Sequence, residues 1–166
     1  MDAGLLLARL VFGLVMAAHG SQKLFGWFGG YGLAGTGGFF ESLGFRPGRL
    51  FAAAAGGTEV VAGLLVASGL LGPLGPALII SVMIVAVATV HWANGLFAQN
   101  NGFELPLLNG VAAAAIALIG NGAYSVDALL GLTWPAEVVW IALGLGILGG
   151  FANLAIRKTG QTEAHV

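Results

Sequence analysis

Residues 75–94 read GPALIISVMIVAVATVHWAN, and this stretch decides the fold class. It contains no Asp, Glu, Lys or Arg, and aliphatic side chains fill most of its positions. A run of about 20 apolar residues is long enough to cross a bilayer as a helix. Its apolar residues are continuous rather than alternating, which argues against the strand of a membrane β-barrel. We therefore predict a transmembrane helix here.

The whole chain is rich in apolar residues and poor in charged ones. Of the 166 residues, 58% are apolar and 8% are charged, whereas a soluble domain carries about 25% charged residues. The mean hydropathy is +0.94. Six basic residues and a net charge of -1 give no electrostatic footprint for nucleic acid. The absence of Cys removes disulfides, thiolate metal sites and Cys-ligated iron–sulfur clusters. The sequence therefore predicts an all-α, polytopic transmembrane helix bundle.

Breaks at Gly-Pro and Asn-Gly pairs divide the chain into five predicted spans. They cover approximately residues 3–20, 50–71, 75–94, 106–120 and 134–156. Pro106 and Pro135 suit first helical turns, and Ser125 is expected to cap a short interfacial helix over 126–132. The domain organisation that follows is a four-span bundle over 1–132, an additional C-terminal transmembrane helix over 133–158 and a polar tail over 159–166.

The basic residues predict the orientation of the spans. Lys23, Arg46 and Arg49 lie between spans one and two, and Arg157 and Lys158 follow span five. The connections after spans two, three and four carry no Lys or Arg. With five spans, both basic segments share one face, which the positive-inside rule makes cytoplasmic. We expect the N-terminus outside and the C-terminus in the cytoplasm.

Small residues are unusually frequent, since Gly occupies 29 of 166 positions. In lipid, small residues let helix backbones approach closely. Gly56 and Gly63 form one stripe on span two, and Ala142, Gly146 and Gly150 form another on span five. Packing within the bundle is the first interpretation of both stripes. A homo-oligomer interface through the fifth span is the second.

Two charged residues lie inside predicted spans, where a charge costs about 2.5–3.5 kcal/mol on insertion scales. Arg9 is in span one and Glu59 is in span two. Arg9 can extend outward to the interface, but Glu59 must be either paired or protonated. Their depths in antiparallel spans differ by only about 8 Å at 1.5 Å per residue. We therefore predict that Arg9 holds Glu59 in its charged form. The pair is either structural or part of a site that handles a proton or a ligand.

Other polar residues gather at the predicted cytoplasmic ends of the spans. Helical periodicity places the following residues on one stripe of span one, with His19 at its edge: Arg9, Gly13, Met16, Gly20 and Lys23. Ser81, Ala88, His91 and Gly95 similarly share a side of span three. We expect His19, Glu59, His91 and Glu104 to converge beneath the cytoplasmic interface. Phe39, Phe40, Leu43 and Phe45 predict a segment lying in that interface, with Glu41, Arg46 and Arg49 toward water.

Such a cluster suits several ligands. A quinone head group needs hydrogen-bond donors at its carbonyls and a route for protons, and His with a carboxyl group fits that chemistry. Two His on facing helices are able to ligate a haem iron instead. His and Glu also bind divalent metals. No spacing in the sequence distinguishes these ligands, and a structural role for each His is a further interpretation.

Two longer motifs resemble a known family. HGSQKLFGWFGG at residues 19–30 and GTGGFFESLG at residues 35–44 resemble the DoxX family of bacterial membrane proteins. Arg9, Glu59, His91 with Asn94-Gly95, and the run YSVD at 124–127 match as well. The resemblance covers approximately residues 4–132. Family members usually have four spans, so residues 133–166 are a departure.

The resemblance implies a function. The family is named for a subunit associated with thiosulfate:quinone oxidoreductase, and some relatives are described as membrane anchors of an oxidant-defence complex. We therefore expect a subunit of a quinone-linked oxidoreductase in the bacterial plasma membrane, with a soluble redox or sulfur-transfer partner. The matching positions imply a site at Arg9, His19, Lys23, Glu59 and His91, and Glu104 is added from the cluster above. Alternatives are a non-catalytic anchor or scaffold, and a small-solute or proton transporter.

Overall fold

The computed structural model describes residues 2–158, so the predicted polar tail at 159–166 lies outside the described residues. Over this part of the chain the secondary structure is helical, without strands. The helices are α1 Asp2–Phe25, α2 Gly32–Ser42, α3 Gly48–Ser68, α4 Leu74–Ala86, α5 Glu104–Ile119, α6 Val126–Leu129 and α7 Ala136–Ala155. A π-helical turn, Val87–His91, and a 3-10 turn, Trp92–Asn94, continue α4. We call the continuous run Leu74–Asn94 the α4 segment. The predicted all-α bundle is confirmed.

Helices α1 and α3 are antiparallel and touch through their glycines. A Cβ added to Gly63 would lie 2.4 Å from the carbonyl oxygen of Gly13. A Cβ added to Gly20 would lie 2.4 Å from the carbonyl oxygen of Gly56. Any side chain there would push the backbones apart, so only glycine allows this approach. The predicted packing stripe of α1 is confirmed, because Arg9, Gly13, Met16 and Gly20 are all buried.

Helix α4 lies at the centre of the bundle, between α3, α5 and α7. Five helices each contribute a buried residue to the central core. In the order α1, α3, α4, α5 and α7, these residues are Met16, Ala62, Ile79, Ala113 and Leu143. The small-residue stripe of α7 packs here, since a Cβ on Gly146 would lie 2.4 Å from the Ala77 carbonyl oxygen and one on Gly150 would lie 2.9 Å from the Ile84 Cβ. A second copy of the chain would therefore need a different face of α7.

Within residues 2–158, four helical segments are long and apolar enough to cross a membrane: Asp2–Phe25, Gly48–Ser68, Leu74–Asn94 and Ala136–Ala155. Helix α5 is shorter, with 16 residues. It nevertheless joins the same two ends of the bundle as its neighbours. Asn101, shortly before α5, contacts His91 at the end of the α4 segment, and Asn121, shortly after α5, contacts Arg9 near the start of α1.

The ends of two elements differ from the predictions. Helix α1 continues to Phe25 instead of ending near Gly20. The reason is that Gly20 packs against α3, and this contact outweighs its weak helix propensity. The predicted cap of α6 is present, since the Ser125 hydroxyl accepts a hydrogen bond from Ala128 N at 3.1 Å. That helix ends at Leu129, however, rather than at residue 132.

The bundle therefore has two polar ends. We call the first the basic end, where α1, the α4 segment and α7 finish and where Lys23, Arg49 and Lys158 are found. The Lys158 amide donates to the Gly44 carbonyl at 2.9 Å, which places the end of α7 beside the connection between α2 and α3. We call the other the Asp127 end. The candidate site lies toward the basic end.

Candidate functional site

A cavity of about 430 Å³ lies between α1, α2, α3, the α4 segment and α7. Its volume falls in the range of small-molecule sites, roughly 300–1,000 Å³. Most of its lining is apolar. Its polar lining residues are Lys23, Thr58, Glu59, Ser81, Thr89, His91 and Asn153. A largely apolar cavity with a few polar side chains is typical of a site for a small amphipathic molecule.

An ion pair between Lys23 and Glu59 stands in the wall of this cavity. Lys23 Nζ donates to Glu59 Oε2, and the side chains are 27% and 3% exposed, respectively. Burial makes the carboxylate dependent on its cation, because a charge taken out of water without a partner is very costly. The pair joins the end of α1 to the middle of α3.

The predicted partner of Glu59 was Arg9, and that prediction is wrong. Because α1 continues to Phe25, Lys23 stays on the helical face that packs against α3 and reaches Glu59. Arg9 is fourteen residues earlier, about 21 Å away along the helix. It is fully buried at the Asp127 end, where its guanidinium donates to the carbonyl oxygens of Asn121 and Tyr124.

His91 is held in one orientation at the cavity. Its Nδ1 lies 2.7 Å from the carbonyl oxygen of Asn101. A carbonyl only accepts, so Nδ1 carries a proton and donates it to this oxygen. The Asn94 amide supports the same loop, donating to the Val90 carbonyl at 3.1 Å and to the Asn101 carbonyl at 3.3 Å.

The face of the α4 segment that meets the cavity differs from the predicted one, and a π-helical turn lies in this part of the chain. The predicted side of Ser81, Ala88 and His91 assumed an unbroken α-helical period. In the structure Ser81 and His91 line the cavity, but Ala88 is exposed and Thr89 lines the cavity in its place. One extra residue in the turn shifts every side chain that follows, and such π turns are frequent at functional sites.

Aromatic side chains from α2 and the start of α3 form another wall. Phe39, Phe40, Phe45 and Phe51 all line the cavity. The centroid of the Phe45 ring lies 5.7 Å from the centroid of the Phe40 ring and 5.3 Å from that of the Phe51 ring. Phe39, Phe40 and Phe45 were expected to form only an interfacial segment, so their role in the cavity wall was missed. The charged residues expected to face water, Glu41, Arg46 and Arg49, are exposed.

Two residues expected in the cluster lie elsewhere. His19 is exposed, with its Nδ1 3.2 Å from Gln22 Oε1. Glu104 Oε2 accepts from the Ala98 amide at 2.8 Å and closes the loop before α5. The arrangement with two His on one haem iron is therefore not formed at this cavity. Among residues 2–158, no three His, Asp or Glu side chains are grouped to hold a metal ion.

A second polar cluster, at the Asp127 end, was not anticipated as a unit. Asp127 is 3% exposed. Its carboxylate accepts four hydrogen bonds, from Leu71 N at 2.8 Å, Gly72 N at 2.8 Å, Asn121 Nδ2 at 2.8 Å and Trp134 Nε1 at 2.7 Å. Only the family resemblance pointed to this residue, because its local sequence pattern does not reveal these donors, two of which lie more than fifty residues away.

The Asp127 cluster is structural in character. A cavity of about 400 Å³ lies beside it, lined by Asn121, Asp127 and Trp134 among others. The carboxylate oxygens already accept four donors, and Asn121 links the carboxylate to the buried Arg9 through its side chain and its carbonyl. The hydrogen bonds of this cluster therefore connect α1, the turn before α4 and the segments on both sides of α6 to one another.

These features define a class of protein: a multi-pass helical membrane protein with a largely apolar cavity among its helices that contains a few polar side chains. The family model of DoxX matches residues 4–92, which is more than half of the chain, and the chain belongs to this family. The match includes Arg9, Lys23, Glu59 and His91 but ends before α5, so it is shorter than the resemblance over 4–132. No curated protein and no solved structure matched the chain.

Proposed function

We propose that this DoxX protein is an integral membrane subunit of an oxidoreductase system in the bacterial plasma membrane and binds a quinone head group in the cavity. The observation that carries the proposal is the Lys23–Glu59 pair, whose carboxylate is buried, in the wall of a largely apolar cavity that His91 also lines. An apolar, lipid-soluble molecule with polar oxygens on its ring matches this distribution of polarity.

Each polar residue has a distinct task in this proposal. Lys23 gives one N–H to Glu59 and has further N–H groups for a ring oxygen. Glu59 holds the ammonium group in place. His91 Nε2 accepts a proton or a hydrogen bond from a ring hydroxyl, and the phenylalanine wall packs on the ring face. A bound quinone supplies the capacity to carry two electrons and two protons.

A soluble partner supplies or removes the electrons in this proposal, since the chain contains no Cys for sulfur or iron–sulfur chemistry. We place its docking surface at the basic end, which the positive-inside rule assigns to the cytoplasm. The contact between Lys158 and Gly44 supports this orientation, because it brings both basic segments to one end. A redox protein or a sulfur-transfer protein fits this role.

Quinone titration of the purified protein tests the proposal. In a lipid nanodisc, we expect wild-type protein to bind a short-chain quinone, measured by quenching of tryptophan fluorescence. Glu59→Gln removes the charge that fixes Lys23, so we expect binding to weaken by about 10–100-fold, as for loss of a charged hydrogen bond.

The matched control for this titration is Glu104→Gln, which neutralises a carboxylate outside the cavity and should bind like wild type. Equal affinity of wild type and Glu59→Gln would count against the proposal. A haem absorption band in the purified protein would indicate a haem site instead of a quinone site. Absence of quinone binding in wild type would favour the non-catalytic anchor.

A further inference from the structure

Most of the basic residues of this chain belong to one place, where the connection between α2 and α3 meets the end of α7. The sequence has six Lys and Arg residues in all. Arg9 is buried in the bundle, and Lys23 is paired with Glu59. The other four come from two segments more than a hundred residues apart, and we call them the basic cluster: Arg46, Arg49, Arg157 and Lys158.

Backbone contacts hold the two segments of the basic cluster together. The Lys158 amide donates to the Gly44 carbonyl at 2.9 Å, and Arg157 Nε donates to the Leu43 carbonyl. Gly44 has a φ of +92°, and a Cβ there would lie 2.5 Å from the Lys158 carbonyl oxygen, so a side chain would separate the segments. Arg46 follows Gly44 by two residues, which span at most about 7 Å. Cations from both segments are therefore neighbours.

The positive charge of the basic cluster is not neutralised within residues 2–158. The salt bridge in this part of the chain is Lys23–Glu59, so none of the four cations forms an ion pair there. Glu41 is the acidic residue nearest in sequence, and its Oε1 accepts from the Gly48 amide at 3.0 Å. The Arg157 guanidinium has four N–H groups besides the one that binds Leu43. Neighbouring cations without counter-charges attract an anion.

Exposed apolar side chains lie directly beside these cations. Leu50 follows Arg49 and is 63% exposed, and Ile156 precedes Arg157 and is 56% exposed. Because α3 begins and α7 ends here, these apolar side chains mark where the hydrocarbon of the bilayer begins. Long basic side chains at such a position extend to the level of the lipid headgroups. The anion available at this depth is the phosphate group of a lipid.

We infer that the basic cluster binds the headgroup of an anionic phospholipid, with the acyl chains lying along Leu50 and Ile156. Guanidinium groups suit a phosphate, because two parallel N–H donors match two of its oxygens. Clusters of basic side chains at the cytoplasmic ends of transmembrane helices bind anionic lipids for the same reason. This inference does not involve the quinone cavity, so its test is separate from that of the proposed function.

Native mass spectrometry of the purified protein in a neutral detergent tests the inference. The probes are phosphatidylglycerol and phosphatidylcholine with the same acyl chains. We expect wild type to bind phosphatidylglycerol at least about tenfold more tightly, since each nearby cation contributes about fivefold. Arg46→Gln and Lys158→Gln should each weaken phosphatidylglycerol binding by about fivefold and affect phosphatidylcholine less. Lys158→Gln keeps the backbone N–H that binds Gly44.

The matched control is Glu137→Gln, which changes the net charge by one unit at an exposed position of the Asp127 end and should keep the wild-type preference. Equal binding of both lipids by wild type, or an unchanged preference in either cluster variant, overturns the inference and leaves the basic end to the soluble partner. Inorganic phosphate at the concentration of the lipid should not displace phosphatidylglycerol. Displacement would show a site for dissolved anions and would also overturn the inference.

Discussion

Replacing Asp127 with alanine is expected to lower the free energy of unfolding by about 3–5 kcal/mol, the usual cost of removing one partner from a buried charged cluster. The change takes away four hydrogen bonds at once, and it strands the Trp134 indole and the Asn121 amide without an acceptor. Reversible unfolding in mixed micelles, followed by tryptophan fluorescence, measures this loss.

Two variants show whether the loss comes from the cluster. Asp2→Ala removes an exposed carboxylate at the same end and should change stability by less than about 0.5 kcal/mol. Asp127→Asn keeps the shape and part of the accepting capacity, so it should fall between wild type and Asp127→Ala. If Asp127→Ala and Asp2→Ala were equally stable, the Asp127 cluster would not fasten the bundle.

Breaking the Lys23–Glu59 pair should have an effect of similar size. Lys23→Met leaves a carboxylate with 3% exposure without its cation, and we expect a loss of about 3–5 kcal/mol. Replacing both partners, as Lys23→Met with Glu59→Met, should recover most of that loss, because apolar replacement of a buried ion pair is often neutral. Unfolding measurements on the single and double variants give the coupling energy.

The control for this cycle is Arg46→Met, which removes an exposed cation from the same end of the bundle and should be close to neutral. Additive losses in the double variant would show that Lys23 and Glu59 do not depend on each other. That outcome would mean that the candidate site contains no energetically coupled pair of charges.

The class of fold follows from the sequence because the bilayer imposes simple rules. Long apolar runs must be helices that satisfy their own backbone, and small residues mark where helices touch. The stripe of Arg9, Gly13, Met16 and Gly20 on α1 is therefore predictable from periodicity alone. The high cost of buried charge likewise singled out Arg9 and Glu59 as residues with partners.

The identity of those partners does not follow, because it depends on where each helix ends and where the connections lead. The estimate of depth in the bilayer paired Glu59 with Arg9, although the same predicted stripe of span one also carried Lys23. The true partners of Arg9 are backbone carbonyls of a connection more than a hundred residues later. Backbone acceptors carry no sequence signal.

Local irregularities account for the remaining differences at the candidate site. The π-helical turn at Val87–His91 breaks the 3.6-residue period on which helical faces are predicted. The aromatic wall comes from α2, the connection after it and the start of α3, and the phenylalanines of α2 are equally typical of a membrane anchor. Asn153 is a single polar residue near a helix end, and only the bundle geometry brings it to the cavity.

Photoaffinity labelling with an azidoquinone tests the central claim, that the cavity at the basic end holds the quinone ring. The wild-type protein in native-like lipid is illuminated, digested and examined by mass spectrometry. We expect labels on cavity-lining residues of segments 39–59 and 81–91, suppressed by excess unlabelled quinone and by the Lys23→Met, Glu59→Met double variant. Labels concentrated on residues 116–140, at the Asp127 end, or spread over lipid-facing positions without competition, would contradict the account.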